Sequence, residues 1–324
     1  MRVNWGRRVA AILLALGASA SAAQAAEKVK AAIGQLGLWD TLITVFAVEN
    51  GYYKELGLDV DYLKTQGGGE TAQLIITGGA DFGMTIGVLS AIAGHAKGAP
   101  MRIVSSEIVG TPDTFWYVRG DSPLKTVNDI AGRTVAFSRT GSGTHLTLLA
   151  LTSHLKLEPK LVSAGGLPAT RTQVMTNQVD VGWSVPPFAL DLIRKGEARI
   201  LFKGDIVAPL ADVSIRVNVA NANWLAKNRE TARKFMVGYH RALEWMYGAG
   251  KEEATERFAK MNNLDIEIAR DAVAFYKKED IGLTPVRGLD KAVALAVQHN
   301  MIKEPLTAAQ QKELVDIVYD PRAK

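Results

Sequence analysis

The chain contains no cysteine among its 324 residues. That absence removes disulfides, thiolate metal sites and cysteine nucleophiles together, and with them the lipidated cysteine that tethers some exported proteins. None of His95, His145, His154, His240 and His299 has a partner at the spacing of a zinc-binding helix, and no acidic loop resembles a calcium site. No metal and no cofactor is expected. Beyond the N-terminus no apolar run approaches a membrane span. Nor is there a dense basic stripe: removing Arg2, Arg7 and Arg8 of the N-terminal segment takes the formal charge from +5 to +2. The charged runs near 227–234 and 251–260 mix both signs, as solvated helix faces do. Nucleic acid is therefore not an expected partner.

The first stretch reads as a signal peptide over 1–25. Three arginines precede an apolar run from Val9 to Leu16, and small residues end it at Ala23-Gln24-Ala25. An exported chain without cysteine fits a soluble periplasmic protein.

Glycines punctuate the chain beyond residue 50. Gly51 closes an amphipathic helix, residues 58–63 alternate as a strand does, and Gly67-Gly68-Gly69 turns the chain into a helix over 70–77. Gly78-Gly79 ends that helix before Asp81-Phe82-Gly83-Met84 starts a strand. The pattern recurs: Gly165-Gly166, a helix opened by Pro168, then Asp180-Val181-Gly182-Trp183. Strand and helix alternate with short connections, which predicts two similar α/β lobes, each on a largely parallel sheet. Segments near 110–120 and 204–217 are the two expected crossings, the second extended over 209–219, and the chain beyond is mostly helical. Paired crossings over a cleft suit ligand trapping.

Two helix starts offer donors. The turn at Gly67-Gly68-Gly69-Glu70-Thr71-Ala72 loosely fits a dinucleotide motif, but it comes after the second strand, carries Glu70 and lacks a suitable acid about twenty residues on. Its amides are better suited to gripping a small anion. The second start runs from Ser138 to His145, with Ser142 and Thr144 hydroxyls, close approach at Gly143 and charge from Arg139. Ser142 is not a nucleophile elbow, because position 140 is threonine. His145 lies in the first turn of that helix. Trp39 and Trp183 sit at strand-to-helix turns, where core packing and cleft lining fit equally well. Arg171 and Arg216 are cations that suit either an anionic ligand or an ion pair. No nucleophile, acid and base come together, so no catalytic residue is expected.

Taken together, the run from Gly51 to Val60, Gly67-Gly68-Gly69, Gly79-Ala80-Asp81-Phe82-Gly83, the run from Val127 to Ala136, and Gln178-Val179-Asp180 resemble the sulfonate, nitrate and taurine class of solute-binding proteins of ABC importers. The resemblance covers roughly 28–219. It implies a type II periplasmic-binding-protein fold: two α/β lobes joined by two crossing segments, with a ligand cleft between them. Lobe 1 would comprise 26–113 plus 215–324, and lobe 2 would comprise 114–214. It implies a monomer that captures a small organic anion (a sulfonate, a taurine-like molecule or a carboxylate) by hinge closure and delivers it to an inner-membrane ABC permease with its ATPase. The ligand-binding residues expected are Trp39, Gly68, Gly69, Thr71, Met84, Thr85, Ser142, Gly143, Thr144, His145, Trp183 and Arg216, with Trp39 and Trp183 packing the organic body. Related sequences include a yeast-type enzyme making a thiamine pyrimidine, whose cysteine-rich iron motif this chain lacks. An exported enzyme using the same cleft, or a receptor for another transporter class or a sensor, are the alternatives.

Overall fold

The computed structural model describes residues 25–323. The expected signal peptide lies, but for its last residue, outside them.

The chain builds two five-stranded sheets that share one plan. In the first, β1 (Glu27–Gly34) lies between β2 (Leu58–Thr65) and β3 (Phe82–Gly87), parallel to both, and β4 (Met101–Val109) lies at the far edge beyond β10 (Ser214–Asn221). In the second, β6 (Thr134–Phe137) pairs in parallel with β7 (Lys160–Ser163), and a parallel bridge from Val135 to Val181 joins it to β8 (Gly182–Ser184), then β5 (Phe115–Arg119) and β9 (Ala198–Lys203). Only β5 and β10 run against their neighbours. Each is the first strand the chain enters after passing from one sheet to the other. This is how a largely parallel sheet acquires one reversed strand.

Helices cover the sheets. Into the first lobe go α1 (Ile43–Glu49), α2 (Tyr52–Glu55), α3 (Gly68–Thr77) and α4 (Val88–Ala96); into the second, α5 (Gly143–Leu155), α6 (Leu167–Met175) and α7 (Leu190–Arg194). The repeat seen in the sequence has a bonded counterpart. Asp81 accepts the Lys30 amide at 2.8 Å, and Asp180 accepts the Thr134 amide at 2.8 Å, so each carboxylate ties the start of β3 or β8 to its neighbouring strand. Thr71 and Thr170, both buried, each donate to the carbonyl of the glycine before their helix, Gly67 and Gly166, at 3.2 Å.

The passages between sheets are short. The first spans 110–114; the second, 204–213, contains two 3-10 turns, Gly204–Ile206 and Ala208–Leu210. The expectation of an extended crossing through Pro209 is corrected. Pro209 opens the second of those turns, where its fixed φ and missing N–H suit a helical start better than a strand.

The chain ends in α8 (Ala222–Leu225), α9 (Arg229–Tyr247), α10 (Lys251–Asn262), α11 (Ile266–Val273), α12 (Leu289–Gln298) and α13 (Ala308–Leu314). α9 packs its apolar face on the first lobe, where Phe235 stacks on Phe82 at 4.1 Å and on Tyr53 at 4.8 Å. The segment after α11 reaches the second lobe as well: the Tyr276 hydroxyl donates to the Pro186 carbonyl at 3.1 Å, and Phe275 meets Phe115 at 6.0 Å. The C-terminal region therefore bridges both lobes rather than covering one.

Candidate ligand-binding cleft

Both sheets present the C-terminal ends of their parallel strands to the space between the lobes, the usual place for a ligand in open α/β sheets. The open volume there is about 590 Å³.

One wall is the start of α3. Thr65 and Thr71 share a 2.6 Å hydroxyl contact that anchors the turn from behind, and Gly67 adopts φ 144°, which side chains rarely reach. The Glu70 carboxylate curls back onto the Gln66 amide at 2.6 Å. That bond commits one of its carboxylate oxygens to capping. Among the described residues, the Gly68 and Gly69 amides have no hydrogen-bond partner.

The opposite wall is the start of α5. Ser142 caps it by accepting the His145 amide at 3.2 Å, and the Thr144 hydroxyl accepts the Ser138 amide at 2.9 Å. The Gly143 and Thr144 amides are left without a partner among the described residues. Two helix N-termini thus aim free N–H groups at one space, an arrangement that favours an anion. Trp183 adds another donor: it lines the cleft, is 2% exposed, and its indole N–H has no partner among the described residues.

The floor is strained. Thr85, inside β3, has φ 60° and Gln35, just after β1, has φ 53°. For the β-branched Thr85 this is a real outlier, of the kind that gathers at functional sites. The register of β10 against β3 shifts between Val217 and Val219, opposite Thr85, and the Asn218 side chain accepts the Thr85 amide at 3.0 Å.

Arg216 and Arg139 have opposite surroundings. The Arg216 guanidinium donates to Asp113 at 2.5 Å and lies 3.7 Å from Asp40, and both carboxylates are fully buried. Glu107 is buried beside them. Burial first, and then the Asp40 charge, push the Glu107 carboxyl well above the usual range, so it keeps its proton; Asp40 is also raised, chiefly by burial. Burial works against the Arg216 charge, but Asp113 and then Asp40 outweigh it and its pKa rises. Arg216 is therefore a fixed donor whose charge is already cancelled. Arg139 has no carboxylate partner among the described residues, and its Cδ lies 3.6 Å from where a side chain on Gly69 would begin. It spans from the second lobe to the first wall and supplies the uncompensated positive charge of the cleft.

The lobes touch. The Ser90 hydroxyl donates to the Gly141 carbonyl at 3.0 Å, and a Cβ on Gly87 would sit 2.6 Å from that same oxygen. This is a closed arrangement.

Of the residues expected from the sequence, Gly68, Gly69, Thr85, Ser142, Gly143, Thr144, Trp183 and Arg216 line this cleft. Four do not. Trp39 is buried in the core, its indole bonded to the Tyr247 hydroxyl at 3.0 Å and edge-on to Phe258 at 5.7 Å, so its expected packing on a ligand is corrected. Thr71 spends its hydroxyl on the turn, and Met84 is 1% exposed, one residue before the kinked position. His145 stacks on Phe137 at 4.4 Å and accepts the Gly141 amide at 3.2 Å; burial, and then His299, lower its pKa to about 4. Arg171, the other cation considered, is paired with Asp191 at 2.7 Å. Nothing in the sequence pattern marks Gln35, Gln66, Thr114 or Gly87 as lining residues. Only the strained φ of Gln35 singles one of them out, and that is visible in the fold alone.

Two α/β lobes, two crossings and a donor-rich cleft between them define a binding-protein fold. A family model described as NMT1/THI5 like matches residues 40–253, and the chain belongs to that family. YtlA of Bacillus subtilis (strain 168), described as a binding protein, is 22% identical over 284 residues, spanning 85% of this chain and 77% of that one. Among solved structures, the alkanesulfonate-binding protein SsuA of Xanthomonas axonopodis, bound to MOPS, superposes with a TM-score of 0.73 at 16% identity over 90% of this chain and 98% of that one. The aliphatic sulphonate-binding SsuA of Escherichia coli gives 0.70 at 17% over 88% and 91%, and the nitrate-binding NrtA of Synechocystis gives 0.67 at 15% over 89% and 84%. At such identities these structures establish the shared fold.

Proposed function

We propose that this chain is the periplasmic solute-binding component of an ABC importer, exported by its N-terminal segment, which captures a small organic anion by lobe closure and hands it to a permease. The observation that carries this reading is the convergence on one cleft of four unpartnered amides, an unpartnered indole N–H and the uncompensated Arg139. Such donors cost free energy while empty and regain it only when an acceptor arrives. The binding-protein relatives and sulfonate- and nitrate-binding neighbours support it. No bond chemistry is assigned: the Ser142 and Thr144 hydroxyls are committed to the start of α5, and His145 faces Phe137.

Isothermal titration with methanesulfonate, taurine, nitrate and acetate tests it. One of these, or a larger sulfonate or carboxylate, is expected to bind at one site, and Arg139→Gln should weaken it by about ten- to a hundredfold, the worth of a charge-assisted hydrogen bond. A folded protein that binds no anion, or binds one equally well without Arg139, would remove the reading.

A further inference from the structure

The contact between Ser90 and Gly141 is held from behind by an imidazole. Gly141 uses both of its backbone groups at once: its carbonyl accepts the Ser90 hydroxyl of the first lobe at 3.0 Å, and its amide donates to Nδ1 of His145 at 3.2 Å. The residue has φ 84°, and a side chain on it would begin 2.6 Å from the Ser90 oxygen and 3.4 Å from the Met301 methyl carbon. Met301 follows α12, which packs on α4 of the first lobe and also reaches α5, where Gln298 donates to the Ser153 hydroxyl at 3.1 Å. Gly143 and Thr144, whose amides are left for a ligand, lie just beyond this point.

An imidazole accepts a hydrogen bond only through an unprotonated nitrogen. A proton on Nδ1 would strip the buried Gly141 amide of its acceptor and set two donors against each other. The new charge would gain no counter-charge. Phe137 of β6 covers the ring at 4.4 Å, and α12 brings His299, whose Nε2 is buried without a partner among the described residues and whose charge opposes that of His145. From β10, the Arg216 stem lies 3.9 Å from where a side chain on Gly143 would begin, its own charge already matched by Asp113 and Asp40. Arg139 is a further cation in the turn before α5. The ring also stands in the first turn of α5, at the positive end of that helix. The cations and the helix end all disfavour an imidazolium while the lobes are together.

We propose that His145 is an acid-released latch on lobe closure: neutral, it holds Gly141 where Ser90 can grip it; protonated, it lets that turn go, and the lobes part and free the bound solute. His145 acts through Gly141 and does not line the cleft, so it is a positioning residue. The device concerns closure, whatever solute the cleft takes.

The test needs no ligand. Because the chain lacks cysteine, Lys97→Cys and Lys160→Cys, both exposed and on different lobes, can carry spin labels whose separation reports closure. In the parent the closed population should be constant above about pH 6.5 and fall at least about tenfold as pH drops towards 4, the sign expected for a group whose pKa closure lowers. His145→Asn, whose side-chain oxygen accepts the same amide without titrating, should stay closed throughout. His145→Phe, which keeps the stack but accepts nothing, should be depleted in the closed form at every pH. By reciprocity, His145 in Gly87→Ala, a variant that cannot close, should titrate nearer the ordinary 6.5 when followed by heteronuclear NMR. A closed population that is insensitive to acid, that falls equally in His145→Asn, or that falls only together with the near-ultraviolet circular dichroism of the folded core overturns the proposal. So does identical titration of His145 in parent and Gly87→Ala.

Discussion

Asp113 accepts a hydrogen bond from Arg216 at 2.5 Å, and the two residues belong to different parts of the hinge. Asp113 lies in the first crossing, whereas Arg216 sits on β10 just after the second and lines the cleft. One buried ion pair thereby holds the cleft floor to the segment about which the lobes would turn. Removing one partner leaves the other charge buried and unmatched. We expect Asp113→Asn to cost about 3 kcal/mol of stability, within the range for broken buried pairs, as measured by urea denaturation. A change below about 1 kcal/mol would mean that Asp40 alone satisfies Arg216.

Thr85 holds a left-handed φ that glycine adopts without strain. Thr85→Gly should therefore raise stability by about 1 kcal/mol, yet weaken ligand binding, since the cleft loses a hydroxyl and a fixed floor. Denaturant midpoints and titration calorimetry on the same samples separate the two effects. Lower stability in the glycine variant would contradict the strain argument.

At Gly87 the two lobes are in close contact. A methyl group there would press to 2.6 Å from the Gly141 oxygen and 2.9 Å from the Gly143 nitrogen, both backbone atoms that cannot swing aside. Gly87→Ala should fold normally but fail to close, giving a larger radius of gyration in small-angle scattering in the presence of ligand and at least tenfold weaker binding. Identical scattering from variant and parent would place the closing contact elsewhere.

The two lobes carry opposite pH dependences. Glu107 is held protonated in the fold, so the native state binds more protons than the unfolded chain above the ordinary carboxyl range near 4.5, and stability falls as pH rises through and beyond it. Glu107→Gln keeps the shape and the donor without the titration. Its stability relative to the parent should grow as pH rises beyond the ordinary carboxyl range.

His145 runs the other way. Its pKa is lowered from 6.5 to about 4 by burial and by His299, so the folded state keeps it neutral while the unfolded chain takes up a proton. Its contribution is complete above pH 6.5 and is lost as pH falls towards 4. Because the ring is partly exposed, the effect is no more than about 2 kcal/mol. His145→Phe, which preserves stacking on Phe137, should flatten the acid limb of a stability-against-pH curve.

Local rules account for what the sequence disclosed. Gly67, Gly78 and Gly165 mark turns because backbone geometry demands glycine there, and Asp81 and Asp180 mark strand starts because each bonds one neighbouring amide. Such signals lie within a few residues of their effect. The carboxyl cluster left no such signal, since Asp40, Glu107, Asp113 and Arg216 come from four separate segments and only the fold assembles them. Trp39 and Trp183 look alike in sequence, each at a strand-to-helix turn. What separates them is distant: Tyr247 and Phe258, from α9 and α10, cover Trp39, while nothing among the described residues bonds the indole of Trp183.

That unbonded indole has a practical consequence. Trp183 places a chromophore whose emission responds to hydrogen bonding at the spot where an acceptor would dock. With the other tryptophans replaced by phenylalanine, the protein would become its own optical gauge, reporting occupancy by colour rather than heat and tracking lobe closure on the millisecond scale.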